Sequence, residues 1–208
     1  MIKLYDYFRS SASYRVRIAL NLKEIPHELI PVHLVNNGGE QHSPEYVTLN
    51  PQHLVPTLVD GDFTLSQSLA IIDYLEEKHP TTSLLPSDIR QKAIVKQMAQ
   101  LVAIDIHPLN NLRVLQYLAD TLEVTDAQKS AWYQNWIIKG FSALETLLSA
   151  HQSNGQFCFG NTPTLADLCL IPQVYNAYRF ECPMDDFPII KSINEHCLTL
   201  PAFEKASP

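Results

Sequence analysis

The chain has 208 residues, 46% of them apolar and 18% charged, and a formal charge of −7. That length suits one large domain or two small ones, and the composition excludes a disordered chain, a collagen-like repeat and a small disulfide scaffold. Acidic groups outnumber basic ones in both halves, ten to six over residues 1–82 and twelve to nine over 83–208, with no basic run or stripe, which argues against nucleic acid as a partner.

No run of 18 apolar residues occurs, so no membrane-spanning helix is expected. The start, Met1-Ile2-Lys3-Leu4-Tyr5-Asp6, enters a strand-like pattern at once and lacks the apolar core of a signal peptide. Cys158, Cys169, Cys182 and Cys197 form no CxxC pair and read as reduced cytoplasmic thiols. The eight histidines are scattered without an HExxH or a His/Cys cluster, so no metal is expected.

In chain order, Lys3–Tyr7 reads as a short strand and Ser10–Leu22 as a helix, with Val16, Ala19, Leu20 and Lys23 at helical spacing. Pro26–Val32 is strand-like. Gly38-Gly39 and Pro44 mark a loop before a short helix near Glu45–Leu49. Asp60-Gly61-Asp62 is a hairpin signal between Thr57–Asp60 and Phe63–Leu65. Ser66–His79 follows the 3.6 period until Pro80 stops it. The order β-α-β-α-β-β-α predicts an α/β layer with a mixed sheet over residues 1–82. Thr81–Asp88 reads as a linker. Residues 88–208 then read as all-α, with helices near Ile89–Leu118, Asp126–Ser149, Leu165–Arg179 and Phe187–Leu198. Thr164-Leu165-Ala166-Asp167 is a capping-box variant that starts the third of these.

Four segments carry residues suited to chemistry. Arg9-Ser10-Ser11-Ala12-Ser13-Tyr14-Arg15 lies between the first strand and the first helix. Its hydroxyls sit at a helix N-terminus, which favours an anion or a thiolate, although simple capping also accounts for them. Leu54-Val55-Pro56-Thr57 places a proline at the mouth of a strand. A cis bond there would let Val55 offer its N–H and C=O to an extended ligand, but most X–Pro bonds are trans, so the residues alone favour trans. Ser66-Gln67-Ser68 opens a second anion-receptive helix end, or again a plain cap. Asp105–Arg113 puts His107, Asn111 and Arg113 around Pro108, which should kink the long helix. His107 and Arg113, six residues apart, share no helix face unless that kink joins them.

These residues resemble the zeta class of the glutathione transferase family. The resemblance rests on Tyr7-Phe8-Arg9-Ser10-Ser11 with Arg15-Val16-Arg17-Ile18-Ala19-Leu20, on Leu49-Asn50-Pro51, Val55-Pro56-Thr57-Leu58 and Gln67-Ser68-Leu69-Ala70-Ile71-Ile72. Further matches are Tyr74-Leu75-Glu76-Glu77, Leu84-Leu85-Pro86, Ala166-Asp167-Leu168-Cys169-Leu170 and Pro172-Gln173-Val174. Together they run over essentially the whole chain.

The resemblance implies a thioredoxin-like N-terminal domain, an all-α C-terminal domain, a homodimer and a cis Pro56. It implies that glutathione contacts Ser10, Ser11, Ala12, Arg15, Gln41, Val55, Pro56, Gln67 and Ser68, with His107 and Asn111 from the helical half. Ser10, Ser11 and Arg9 would be the catalytic set, and Arg9, His107 and Arg113 would hold substrate carboxylates. The class usually carries Cys after the two serines, where this chain has Ala12, so thiol activation must rest on Ser10 and Ser11. The implied reaction is glutathione-dependent cis–trans isomerisation of a maleyl diketo acid, maleylacetoacetate to fumarylacetoacetate, in phenylalanine and tyrosine catabolism. Maleylpyruvate isomerisation and haloacid dehalogenation or conjugation fit the same site, and a non-catalytic glutathione-fold module is the alternative of another class.

Overall fold

The computed structural model describes residues 1–151 and 153–208. They divide into two compact units, Met1–Leu84 together with Pro201–Pro208, and Leu85–Leu200. No helix among the described residues is long and apolar enough to cross a membrane.

The first unit is built on strands β1 (Ile2–Asp6), β2 (His27–Pro31), β3 (Thr57–Asp60) and β4 (Phe63–Ser66), in the order β2-β1-β3-β4. β1 runs parallel to β2 and antiparallel to β3, and β3 pairs antiparallel with β4, which is the expected mixed sheet. Alternation sets β1: Ile2, Leu4 and Asp6 are buried while Lys3 faces solvent. Pro31 is tolerated because β2 is an edge strand. The β3–β4 turn is Gly61-Asp62, with Gly61 at φ +65, a left-handed conformation that glycine takes without strain. Helix α1 (Ser11–Leu22) packs on α3 (Ser68–Lys78), burying Val16, Ile18, Ala19 and Leu20 with Ile71, Ile72 and Leu75. The short α2 (Pro44–Leu49) sets Tyr46 in a second cluster with Val32 and Val55. The Tyr46 hydroxyl donates to the Leu54 carbonyl (2.6 Å) and meets Thr57 Oγ1 at 2.9 Å.

The second unit holds α4 (Ile89–Gln100), α5 (Leu112–Asp120), α6 (Asp126–Ala150), α7 (Leu165–Arg179) and α8 (Pro188–Leu198). α7 is buried almost all round and packs on α4 and α8. The pattern over Ile89–Leu118 predicts one helix, and the structure breaks it twice. After α4 the turns widen to a π-type segment, Leu101–Ile106, then tighten to a 3₁₀ turn, His107–Asn110. Pro108 lacks the N–H that would continue the ladder. Asn111 then goes extended (φ −66, ψ 149) and restarts the chain as the N-cap of α5. The break therefore exceeds a kink. Gly140 of α6 accommodates it, since a Cβ there would overlap the Ile106 side chain.

The expected second unit, 88–208, also needs correction at its end. Pro201–Pro208, opening with the short helix α9 (Pro201–Glu204), packs with the first unit. Phe203 is fully buried, and the carbonyls of Ala202 and Ala206 accept from Asn21 Nδ2 (3.0 Å) and Arg17 Nε (2.9 Å). Lys23 fixes the other exit, donating to the carbonyls of His79 (2.8 Å) and Thr82 (2.7 Å).

Candidate active site

The first unit collects its candidate residues at the ends of strands and the starts of helices. Ser10 is the N-cap of α1: its backbone is extended and its Oγ accepts from the Ser13 N–H at 3.2 Å. Capping uses a lone pair and leaves the hydroxyl proton available to a further acceptor. Ser11 is buried in the first turn and Ala12 is half-buried beside it. Arg9 is exposed, its guanidinium 5.0 Å from the Phe8 ring centroid.

The start of α3 is built differently. Gln67 precedes it at φ 71, ψ 108, and no side chain caps its first turn. The N–H groups there, with the positive end of the helix dipole, form an anion-receptive site. Ser68 is buried and accepts from Arg15 Nη1 at 3.4 Å, so a guanidinium lies under this helix end. The structure thus brings Arg15 and Ser68 together across 53 residues of sequence.

Val55–Pro56 is cis, as the resemblance implies and against the residue-level preference for trans. Val55 is buried, and neither its N–H nor its C=O is paired among the described residues. An extended peptide-like ligand could add to them as a further strand. Gln41 is buried beside Gly39; its Nε2 donates to the Leu34 carbonyl (3.3 Å), and its Oε1 has no partner among the described residues. A carboxamide with an unsatisfied buried acceptor calls for a donor from outside the chain.

Sequence reasoning missed three polar residues of this rim. Gln52 Oε1 accepts from Gln67 Nε2 at 2.7 Å, orienting the carboxamide that heads α3. His42 Nδ1 meets His53 Nδ1 at 3.0 Å, and Gln41 Nε2 lies 3.1 Å from His42 Nε2. These links depend on how loop 50–56 folds back, with His53 at φ 57. No spacing in the sequence signals them.

In the second unit, His107 is half-buried at the start of the 3₁₀ turn, and Arg113 is exposed in the first turn of α5. Asn111 separates them, its Oδ1 accepting from the Arg113 N–H at 3.2 Å, so part of this candidate's capacity goes to capping. The chain is anchored beside them by Asn110 Nδ2 on the Tyr133 carbonyl (3.0 Å) and Trp132 Nε1 on the Leu109 carbonyl (2.9 Å). Asp167, expected as a cap, accepts from the N–H of Cys158 and the N–H and hydroxyl of Thr164, and burial raises its pKa. All four cysteines are free and buried. Burial pushes Cys182 up to about 11 and holds Cys158 and Cys197 well above the ordinary thiol range. No group of three or more candidate metal ligands occurs among the described residues.

Two helix starts, the unpaired Val55 backbone before a cis-proline and an orphan buried carboxamide fit a tripeptide thiol with carboxylates near its ends. Comparison with known proteins agrees. Residues 4–83 match the glutathione S-transferase N-terminal domain and residues 110–205 the C-terminal domain of that family. A probable maleylacetoacetate isomerase of Vibrio cholerae is 50% identical, covering 99% of this chain and 94% of the relative. The holo structure of a maleylpyruvate isomerase, a bacterial zeta-class glutathione S-transferase, superposes with a TM-score of 0.96 at 45% identity, covering 99% of this chain and 96% of that one. A maleylacetoacetate isomerase of Methylobacterium extorquens, with bound malonate and glutathione, gives 0.93 at 41% identity, with coverage of 99% and 96%.

Proposed function

The chain belongs to the zeta class of the glutathione S-transferase family, and from that premise we propose that it is a glutathione-dependent isomerase of maleyl diketo acids, acting on maleylacetoacetate to give fumarylacetoacetate. The observation that carries this reading is Ser10, a hydroxyl held at the N-terminus of α1 with its proton free, in the same unit as the uncapped start of α3 and the unpaired Val55 backbone.

Bound glutathione supplies a sulfur nucleophile whose reversible addition lets a conjugated double bond rotate as a single bond, the glutathione being returned unchanged. The chain's own residues do the rest. The Ser10 hydroxyl donates to the sulfur and, with the dipole of α1, favours the thiolate over a thiol that would otherwise ionise only near pH 8.5. The N–H groups at the start of α3, with the Gln67 carboxamide, hold one glutathione carboxylate, while Arg15 adds positive charge beneath Ser68. Val55 fixes the peptide's extended register through its N–H and C=O. Arg9 is the first unit's candidate for the substrate carboxylates and for the negative charge that develops on the carbonyl oxygen, and His107 and Arg113 are the second unit's candidates for the same work. Ser11 and Ala12 shape the first turn around the sulfur, and Gln41 Oε1 accepts from a glutathione N–H.

Assignment to aromatic amino-acid catabolism follows from that substrate. The buried free cysteines support a reducing, cytoplasmic setting. The edge strand β4 with exposed Phe63 against Tyr74 supports a homodimer. Maleylpyruvate is the second substrate to consider, favoured by the superposition with a maleylpyruvate isomerase.

The test is a coupled assay on each maleyl substrate, with and without glutathione. Trans product formed only with glutathione, and without its consumption, is expected for maleylacetoacetate. Glutathione-dependent turnover of maleylpyruvate alone moves the substrate. No isomerisation of either, with glutathione still bound, overturns the reading.

A further inference from the structure

Arg17 is not part of the proposed binding set, yet its guanidinium is the junction of three segments. It lies seven residues after Ser10, two helical turns along the same face of α1. Only 5% exposed, it directs Nη1 to Asp6 Oδ1 (2.5 Å), Nη2 to the Phe8 carbonyl (2.9 Å) and Nε to the Ala206 carbonyl (2.9 Å). Each acceptor stands for one piece of the unit. Asp6 ends β1, Phe8 sits in the loop that delivers Arg9 and Ser10, and Ala206 belongs to the C-terminal segment.

The loop itself is slight. It turns on a single backbone bond, Ser10 N–H to the Tyr7 carbonyl (2.8 Å), and its tip, Phe8 and Arg9, is solvent-exposed. Arg17 grips that loop from beneath by its backbone, so side-chain identity at Phe8 is not required. A buried guanidinium with three charge-assisted bonds is rigid, because loss of any one leaves charge or donor unsatisfied in a dry site. The Tyr14 ring, fully buried 5.3 Å from the guanidinium carbon, closes one side.

We infer that Arg17 is a positioning residue of the active site, tying the Phe8–Ser10 loop to β1 and to the C-terminal segment and so setting where Arg9 and the Ser10 hydroxyl stand. The inference rests on the proposed role of Ser10 for its catalytic consequence, but not for its mechanical one. The C-terminal segment thereby becomes part of the support of the thiol site rather than a loose end of the helical unit. Lysine at 17 would keep the charge beside Asp6 but has no planar fork to reach Phe8 and Ala206 together.

Two measurements test it on Arg17→Lys in the full chain. In the glutathione-free protein, amide hydrogen exchange at Ser10 and Ser13 should quicken about tenfold while amides of β3 keep their rates, since only the loop and first turn lose support. In the loaded enzyme, kcat should fall by about ten- to a hundredfold with the glutathione KM within about twofold, and the bound thiol should ionise at higher pH by ultraviolet thiolate absorbance. Asp6→Asn, which keeps a neutral acceptor for Nη1, should move both readouts the same way by a smaller factor, and it decides the matter if Arg17→Lys does not fold. Unchanged exchange at Ser10 and Ser13, or acceleration spread evenly over the whole unit, overturns the inference. Wild-type enzyme without glutathione-dependent turnover would sink the proposed function alone, because the exchange experiment contains no glutathione.

Discussion

Helices α1 and α3 both start at residues proposed to hold glutathione, but they are finished in opposite ways. α1 is capped by the Ser10 hydroxyl. α3 has no side-chain cap, and the residue at its head, Gln67, sits at φ 71 with its carboxamide turned to Gln52. At α1 the proposed function gives one atom both folding and chemistry. At α3 the two are separate, because the chain leaves donors unpaired and accepts a left-handed backbone at a residue that is not glycine. A third start, that of α7, is fully buried and satisfied by Asp167; it is structural throughout. Substitutions at the three helix starts should therefore differ in kind as well as in size.

The largest effect is expected at Ser10. Ser10→Ala loses the cap and the hydroxyl proton together: about 1 kcal/mol of stability and about a hundred- to a thousandfold in kcat. Ser10→Asp breaks the tie. A carboxylate caps well, so thermal stability should return toward wild type, but it donates no hydrogen bond and repels a thiolate, so kcat should stay low. Activity near wild type in Ser10→Asp would mean that the first turn of α1 serves folding alone.

Asp167 comes next, and its effect should be on stability only. Asn at 167 would face an N–H donor with its own NH₂ group, costing about 2 kcal/mol, with no change in the glutathione KM. The pH dependence has a definite sign. Burial raises the folded-state pKa of Asp167, so the folded chain holds this proton to higher pH than the unfolded one. Its contribution is complete below the ordinary carboxylate range and is lost as pH rises through the folded value. The gap in melting temperature between wild type and Asp167→Asn should be widest in acid and narrow as pH rises through the folded value, leaving the part due to the lost acceptor.

Gln67→Gly should separate binding from folding at α3. Glycine relaxes at φ 71, and relief of such strain favours the folded state, so the melting temperature should hold or rise. The lost carboxamide should raise the glutathione KM about tenfold, the worth of a hydrogen bond to a charged group. A parallel fall in stability and binding would put α3 in the same category as α1.

How much of this could be read in the sequence follows the same division. α7 appears over Leu165–Arg179 as expected, since a capping box is a local signal written in side chains. The start of α3 comes two residues later than expected because Ser66 is drawn into β4 opposite Thr57, a non-local pairing. The broken helix after α4 was half legible: Pro108 announces a disruption, but the widened turn before it rests on the close approach that Gly140 allows. The return of Pro201–Pro208 to the first unit was not legible, since Ala202 and Ala206 contribute carbonyls and a carbonyl carries no residue identity. In the site, hydroxyls at helix starts were visible. The Gln52–Gln67 and His42–His53 contacts were not, because loop closure makes them.

The smallest expected effect concerns Ala12, where the class usually has a cysteine in the first turn of α1. If that thiol were needed and supplied from elsewhere in this chain, one of the four remaining cysteines would have to ionise readily. Each is buried, and even Cys182, at about 11, is thiolate in only about one molecule in a thousand at pH 8. Cys158 and Cys197 are held higher still by burial, with the nearby Asp167 carboxylate adding to it. Enzyme treated with iodoacetamide at pH 8, freed of reagent and then assayed with fresh glutathione should keep its full turnover, with little alkylation by intact-mass measurement. Rapid loss of activity with one equivalent incorporated would show that a protein thiol has taken over work assigned here to the Ser10 hydroxyl. The contrast between the capped and uncapped helix starts would then no longer explain the catalysis.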